Sequence, residues 1–403
     1  MKCRCCDSTR LELVLDLGSQ PWGNHFVPIG TPGDVPRHPL ELFVCRDCSM
    51  AQIGHTVPKE VMFVDHQYVS GTTRSLRDHF GHVADEIVAR VAFGPTDYAL
   101  DVGGNDGTFL LQLQQRGANV LNVESGFRQA QLAEQAGVTT VNTFFNRESA
   151  SEILASRGPA KLIHGSGIFF HLEELHSAFA GISDLLARDG FVVAEFIYLP
   201  DMIRLCAFDQ IYHEHLTYYS LTSFGNLLRR HGLKIVDARR MAIHGGSCLA
   251  WITHADRPGA DSDSLRAMLA EEAELKLDQP AIYADFAARA GALRDELVTL
   301  VRGLRAEGKR IHALGAPVKG STILNYCGFD ETDLECAVEI NRLKVGTWVP
   351  GTRIPVWHQD EVAPPDVYLM LSWNFKDEIL ARLVDFRAKG GKIIIPIPTV
   401  SVV

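Results

Sequence analysis

No run of eighteen apolar residues occurs in this chain, so a membrane span is not expected. Its first ten residues, MKCRCCDSTR, lack the apolar core of a secretory signal, and a cytoplasmic location is expected. Basic tracts with interleaved aromatics are missing as well. There are 39 Lys and Arg against 49 Asp and Glu, a formal net charge of −10. That balance disfavours nucleic-acid binding and favours solubility. Two phosphate fingerprints are absent: neither G-x-G-x-x-G nor G-x-x-x-x-G-K-[ST] occurs.

What is present begins with cysteine. There are nine, an odd number, and five lie in the first 48 residues, which argues against a disulfide framework. Cys3 and Cys6 form one C-x-x-C pair and Cys45 and Cys48 a second. Two such knuckles supply four thiolates at tetrahedral zinc spacing, and four protein ligands leave no open position, so a structural Zn²⁺ is expected. Cys5 competes with Cys6, but the C-x-x-C spacing favours Cys6.

A chain of 403 residues is too long for one ordinary core, and two or three domains are expected. Residues 97–124, DYALDVGGNDGTFLLQLQQRGANVLNVE, read as strand, glycine turn, helix and second strand, ended by an acid about twenty positions on. Gly103, Gly104 and Gly107 allow close backbone approach or positive φ. Glu124, at the carboxyl end of its strand, is placed to accept ribose hydroxyls. The glycine spacing is too short for a pyrophosphate, so S-adenosylmethionine (SAM) fits better than NAD. Further alternation of strands and helices predicts a doubly wound parallel sheet, with His171, Glu195 and Tyr198 near its carboxyl edge.

Residues 209–220, DQIYHEHLTYYS, carry two histidines, a glutamate and three tyrosines. They read as a metal site, a structural polar cluster or an acid–base site; H-x-H offers two ligands and no third is evident. A helix over 222–232 is predicted, capped by Thr222 or Ser223. Residues 258–308 are helix-rich and broken at Pro280. After a strand at 310–314, Gly315 and Gly320 flank Lys319 at a helix N-terminus suited to a phosphate or carboxylate. Lys344 and Arg353 are secondary cations there. Strands at 335–340, 367–371 and 392–398 complete a second α/β unit.

These segments together resemble the zinc-containing, SAM-dependent sugar C-methyltransferases, which act on nucleotide-linked keto-deoxysugars in antibiotic and surface-glycan pathways. CRCC, LDLGSQPWGNHF and PLELFVCRDCSMAQIG carry the zinc domain of that resemblance, YVSGTTRSLRDHF the entry to the cofactor domain and DVGGNDGTFLL the SAM loop. FDQIYHEHLTYYSL, HGGS at 244–247, LGAPVKGSTILNY and VPGTRIPV complete it. The resemblance implies a zinc lobe (1–75), a class I Rossmann-like methyltransferase domain (76–280) and a second Rossmann-like domain (281–403) for the substrate's nucleotide. It implies that Asp101, Gly103, Gly104, Asn105, Gly107, Glu124 and Ser125 bind SAM.

The family's Y-x-E-H motif falls on Tyr212, Glu214 and His215. His215 is then the general base that removes a carbon-bound proton beside a ketone. Tyr212 and His171 would hydrogen-bond the enolate oxygen, and Glu214 would orient the imidazole or anchor a sugar hydroxyl. Lys319, Tyr198 and Ser247 are expected to meet a nucleotide-linked, TDP-type sugar. No nucleic-acid or membrane partner is expected, and the chain is expected to be a monomer. Rival readings are an O- or N-methyltransferase and a non-catalytic zinc-module interaction protein. The chain departs from the family's pattern at Ser125, Cys248–Ala250, Pro317, Ser321 and 339–346, all expected on substrate-facing surfaces.

Overall fold

The computed structural model describes residues 1–31, 35–64, 66 and 68–403, and of His244, the first residue of the HGGS segment, only the backbone. Among the described residues three larger sheets organise the chain, beside a two-stranded one that pairs Val27–Pro28 with Thr347–Trp348. The N-terminal sheet has strands Leu11–Gln20, His38–Cys45 and Ala51–Ile53. Its fourth strand, Thr217–Tyr218, comes from the motif segment far along the chain and pairs with Ala51 and Gln52. The alternation in LELFVC, buried at Leu40, Leu42 and Val44, places one face of this sheet on a core.

The central sheet has seven strands: β1 (Tyr98–Val102), β2 (Asn119–Glu124), β3 (Thr140–Asn142), β4 (Ala160–Ser166), β5 (Leu186–Ile197), β6 (Leu233–Met241) and β7 (Ser247–His254). Their order is β6-β7-β5-β4-β1-β2-β3. The five from β5 to β3 are parallel, as the alternating pattern predicts, and β7 runs antiparallel between β5 and β6. All five residues of β1 are buried, because helices cover both faces. Helix α1 (Arg74–Arg90) contributes Leu76, Phe80, Val83 and Ile87 to one cover, joined by Phe109 and Leu113 of α2 (Thr108–Gln115). Each such side chain contributes about 1.5–3 kcal/mol by burial.

All eight residues of β7 are buried. Cys248, Leu249 and Ala250, expected on a substrate-facing surface, therefore lie in the sheet's interior, hydrogen-bonded on both sides.

Pro280 starts a helix rather than breaking one. It occupies the first turn of α3 (Pro280–Ala306), where its missing N–H costs nothing. The third sheet contains β8 (Ile311–Leu314), β9 (Cys336–Glu339), β10 (Val356–His358), β11 (Val367–Met370), β12 (Lys392–Ile395) and β13 (Ser401–Val402). Its order is β10-β9-β8-β11-β12-β13, parallel except for β13. Helix α4 (Val318–Cys327) follows β8 and aims its N-terminus toward the central domain. The helix expected at 222–232 spans Leu221–Arg229. Its cap is Ser220, which exchanges a capping box with Ser223, because the hydroxyl two positions earlier reaches the free amide.

Candidate active site and metal centre

Cys3, Cys6, Cys45 and Cys48 converge, with all four sulfurs within 4.8 Å of one another. Cys3 to Cys48 and Cys6 to Cys45 are each 3.5 Å. Four sulfurs at the Zn–S distance of about 2.3 Å stand about 3.8 Å apart, so the set fits zinc with little adjustment. The amides of Cys5 and Asp47 donate to the sulfurs of Cys3 and Cys45 at 3.4 Å, the outer-shell support that thiolates require. Burial pushes the Cys6 thiol up to about 11, so a thiolate cluster here needs a cation. Cys5 is buried outside the set.

The second centre is a cavity of about 460 Å³ bounded by all three units. One half lies over the carboxyl ends of β1 and β2. Gly103, Asn105, Glu124 and Ser125 line it, with Phe144 and Phe145. Gly103 has φ 64°, and a side chain there would strike Ile168. Glu124 accepts the amides of Asn105 at 2.8 Å and Gly126 at 2.6 Å, which fixes its carboxylate at the rim. Burial raises its pKa, against the pull of those amides. An aromatic wall, a glycine approach and a carboxylate at the ribose position form a donor set that fits the nucleoside of SAM.

Asp101, Gly104 and Gly107 do not line the cavity. Asp101 lies beneath the loop, 2.7 Å from His164 Nδ1. Gly104 packs on Asp101 and Asn122, and Gly107 supplies the left-handed cap of α2. They shape the turn from behind.

His215, Tyr212, Glu214 and His171 share the middle of the cavity. His215 Nδ1–H donates to the Gln210 carbonyl at 2.8 Å, which leaves the lone pair on Nε2. Tyr212 packs on the His215 ring at 3.8 Å between centroids and His171 at 5.0 Å. Desolvation holds the Tyr212 hydroxyl well above its ordinary pKa, so it is a proton donor. His171 is corrected: burial pushes it down to about 4, and its Nδ1–H is committed to the Glu214 carbonyl at 2.5 Å. A neutral ring so engaged has no second N–H for an enolate oxygen. Glu214 does not orient His215 either, since the Gln210 carbonyl does. Its Oε1 accepts the Asn24 amide at 3.2 Å, and its buried Oε2 has no partner among the described residues. Burial pushes this carboxyl up to about 7.

His213 faces the other way. Its Nε2–H donates to the Pro39 carbonyl at 3.3 Å, and its ring lies among His38 and His55 of the zinc lobe. The two histidines of H-x-H therefore share no ligand. Among the described residues the four cysteines are the one cluster with metal-ligand geometry.

The far side of the cavity carries Lys319, in the first turn of α4, and Lys344. Lys319 lies 4.4 Å over the Trp373 ring and bonds Asn374; burial pushes it down to about 8, against the field of Asp209. Lys344, read from sequence as a secondary cation, reaches the Ala316 carbonyl at 2.8 Å. Pro317 lines the cavity, whereas Ser321 is buried beneath it.

Ser247 is at the wall, with its hydroxyl given to Glu195 at 2.7 Å. Glu195 is also 2.7 Å from His79 Nε2 and accepts Ser166. Tyr198 is not brought to the cavity: its ring is fully buried and its hydroxyl donates to Glu272 at 2.7 Å. Sequence reasoning passed over Lys59, Asn24, Asn374 and His79. Asn24 and His79 stand in segments that carry the family resemblance, but nothing in those segments marks either side chain as belonging to the site.

Comparison with known proteins covers every unit. Residues 3–63 match the family model "Putative zinc binding domain", 76–238 "Methyltransferase domain" and 242–398 "C-methyltransferase C-terminal domain". Over its full length the chain is 33% identical to C-methyltransferase NovU of Streptomyces niveus, covering 96% of that protein. Among solved structures, magnesium protoporphyrin IX methyltransferase of Synechocystis is 14% identical with a TM-score of 0.35, over 44% of this chain and 83% of that one. The CcbJ methyltransferase of Streptomyces caelestis is 13% identical with a TM-score of 0.34, over 44% and 89%.

Proposed function

This chain belongs to the zinc-containing, SAM-dependent sugar C-methyltransferase family, and from that premise we propose that it methylates the carbon beside a ketone in a nucleotide-linked keto-deoxysugar. The carrying observation is that one cavity holds the glycine loop with Glu124, the imidazole of His215 and the lysines at α4. SAM, when bound, supplies the electrophilic methyl group.

A proton on carbon beside a ketone leaves only if the enolate is stabilised. His215 Nε2 takes that proton, the tautomer being set by the Gln210 carbonyl. The protonated Tyr212 hydroxyl donates to the oxygen on which charge develops. Glu214 Oε2, buried and unpartnered among the described residues, accepts a sugar hydroxyl. Two neighbouring rings, Phe170 and His171, hold the base in place, at 4.5 and 5.0 Å from it. Much of the rate then comes from positioning the reacting carbon. Lys319, Lys344 and the amides opening α4 take the phosphates of the nucleotide, a TDP-type group. The division 1–75, 76–280 and 281–403 belongs to the same reading, with zinc in a structural role.

The test is mass spectrometry of TDP-linked keto-deoxysugars incubated with SAM and enzyme. A gain of one CH₂ on carbon is expected. No gain from any such sugar, with methylation of a keto compound lacking the nucleotide, would remove the substrate assignment.

A further inference from the structure

We propose that the Gly23–Asn24 turn of the zinc lobe is a positioning element of the methyl-transfer site, holding the Glu214 carboxylate through the Asn24 backbone N–H. The inference rests on the reading of Glu214 as a substrate-facing carboxylate.

Three observations place the turn. The Asn24 amide donates to Glu214 Oε1 at 3.2 Å across 190 residues of chain, and Asn24 itself lines the cavity. The Gly23 carbonyl accepts the Ser321 hydroxyl of α4 at 3.5 Å. A side chain at Gly23 would stand 2.4 Å from Val318 Cγ1 and 3.3 Å from the Val318 carbonyl. The turn is thus wedged between the motif segment and the first turn of α4, where only glycine fits. The zinc lobe also pairs with the motif strand Thr217–Tyr218, so it holds this segment at a second place.

The consequence is electrostatic. Glu214 is 2% exposed, and burial favours its protonated form, whereas its own backbone amide, the amides of Gly23 and Asn24 in the turn, and the Asn24 side chain favour the carboxylate. Lys344 of the third sheet's unit faces it and favours the charge, while Tyr212 and Tyr218 of its own segment are neutral. His171 touches only its backbone and is also neutral. Loss of the Asn24 N–H therefore raises the Glu214 pKa, and the acid limb of the rate moves to higher pH.

The experiment compares full-length wild type, Asn24→Pro, Gly23→Ala and Gly23→Ala/Val318→Ala, with a TDP-linked keto-deoxysugar and SAM. Zinc content and calorimetric SAM affinity are read beside the pH profile of kcat. Asn24→Pro and Gly23→Ala should lower kcat about 10- to 100-fold and shift the acid limb upward, with zinc and SAM affinity unchanged. Removing Val318 Cγ1 should restore most of the rate to Gly23→Ala. Wild-type kcat in the single variants, or a loss of rate with the limb unmoved, would overturn the proposal. If Asn24→Pro loses zinc, the Gly23→Ala pair decides: absence of rescue counts against it. Wild type that fails to exchange the carbon-bound proton would instead sink the base assignment, a separate result.

Discussion

The central and third sheets each build the same backbone device and arm it with opposite charge. In the first, β1 ends in Gly103 at φ 64°, whose amide meets Val123 of the next strand at 2.8 Å. That strand ends in Glu124, which accepts the Asn105 amide of the loop at 2.8 Å. In the second, β8 ends in Gly315 at φ 84°, bonded to Val338 at 2.9 Å, and Glu339 accepts the Ala316 amide at 2.9 Å. The difference lies in the side chains. The first half presents Glu124 and Glu195 to the cavity, and the lysine beside it, Lys59 of the zinc lobe, is spent on Glu174 at 2.6 Å. The second presents Lys319 and Lys344. Backbone construction thus sets where a ligand sits, and on the function proposed above side-chain charge sets which ligand: a cationic sulfonium on one side, an anionic phosphate on the other.

That division can be broken by mutation. His215→Ala, at the junction, should lower kcat about 10²- to 10⁴-fold while SAM and nucleotide-sugar affinities stay at wild-type values in calorimetry. Glu124→Ala should weaken SAM binding by about 1.5–3 kcal/mol, roughly 10- to 150-fold, and spare the nucleotide sugar. Lys319→Ala should do the reverse, weakening the TDP-linked sugar about tenfold and flattening the dependence of its affinity on salt. Crossed effects, with Lys319→Ala weakening SAM, would end the comparison. The smallest expected change is Ser220→Ala, which removes the cap of the helix behind the motif. It should cost about 1 kcal/mol in denaturant unfolding without altering either affinity.

What could be read in the sequence was what short range encodes. The C-x-x-C knuckles, the glycine turn and the acid twenty residues on are local devices, and they stand where expected. The motif segment was legible as chemistry but not in its long-range contacts. That Thr217–Tyr218 completes the zinc lobe's sheet, and that Asn24 reaches Glu214, are long-range pairings with no periodicity to announce them. Tyr198 failed for a related reason: its position at a strand end was right, but a buried phenol needs an acceptor, and Glu272 on a distant helix supplies it. His171 failed on protonation, because the carbonyl that takes its only N–H lies in another segment.

Solvent deuterium uptake without SAM tests the central claim most directly. A TDP-linked keto-deoxysugar incubated in D₂O with wild-type enzyme should gain deuterium at the carbon beside the carbonyl, and His215→Ala should abolish that gain. Equal uptake in both proteins, or none in an enzyme that still transfers methyl groups, would contradict it.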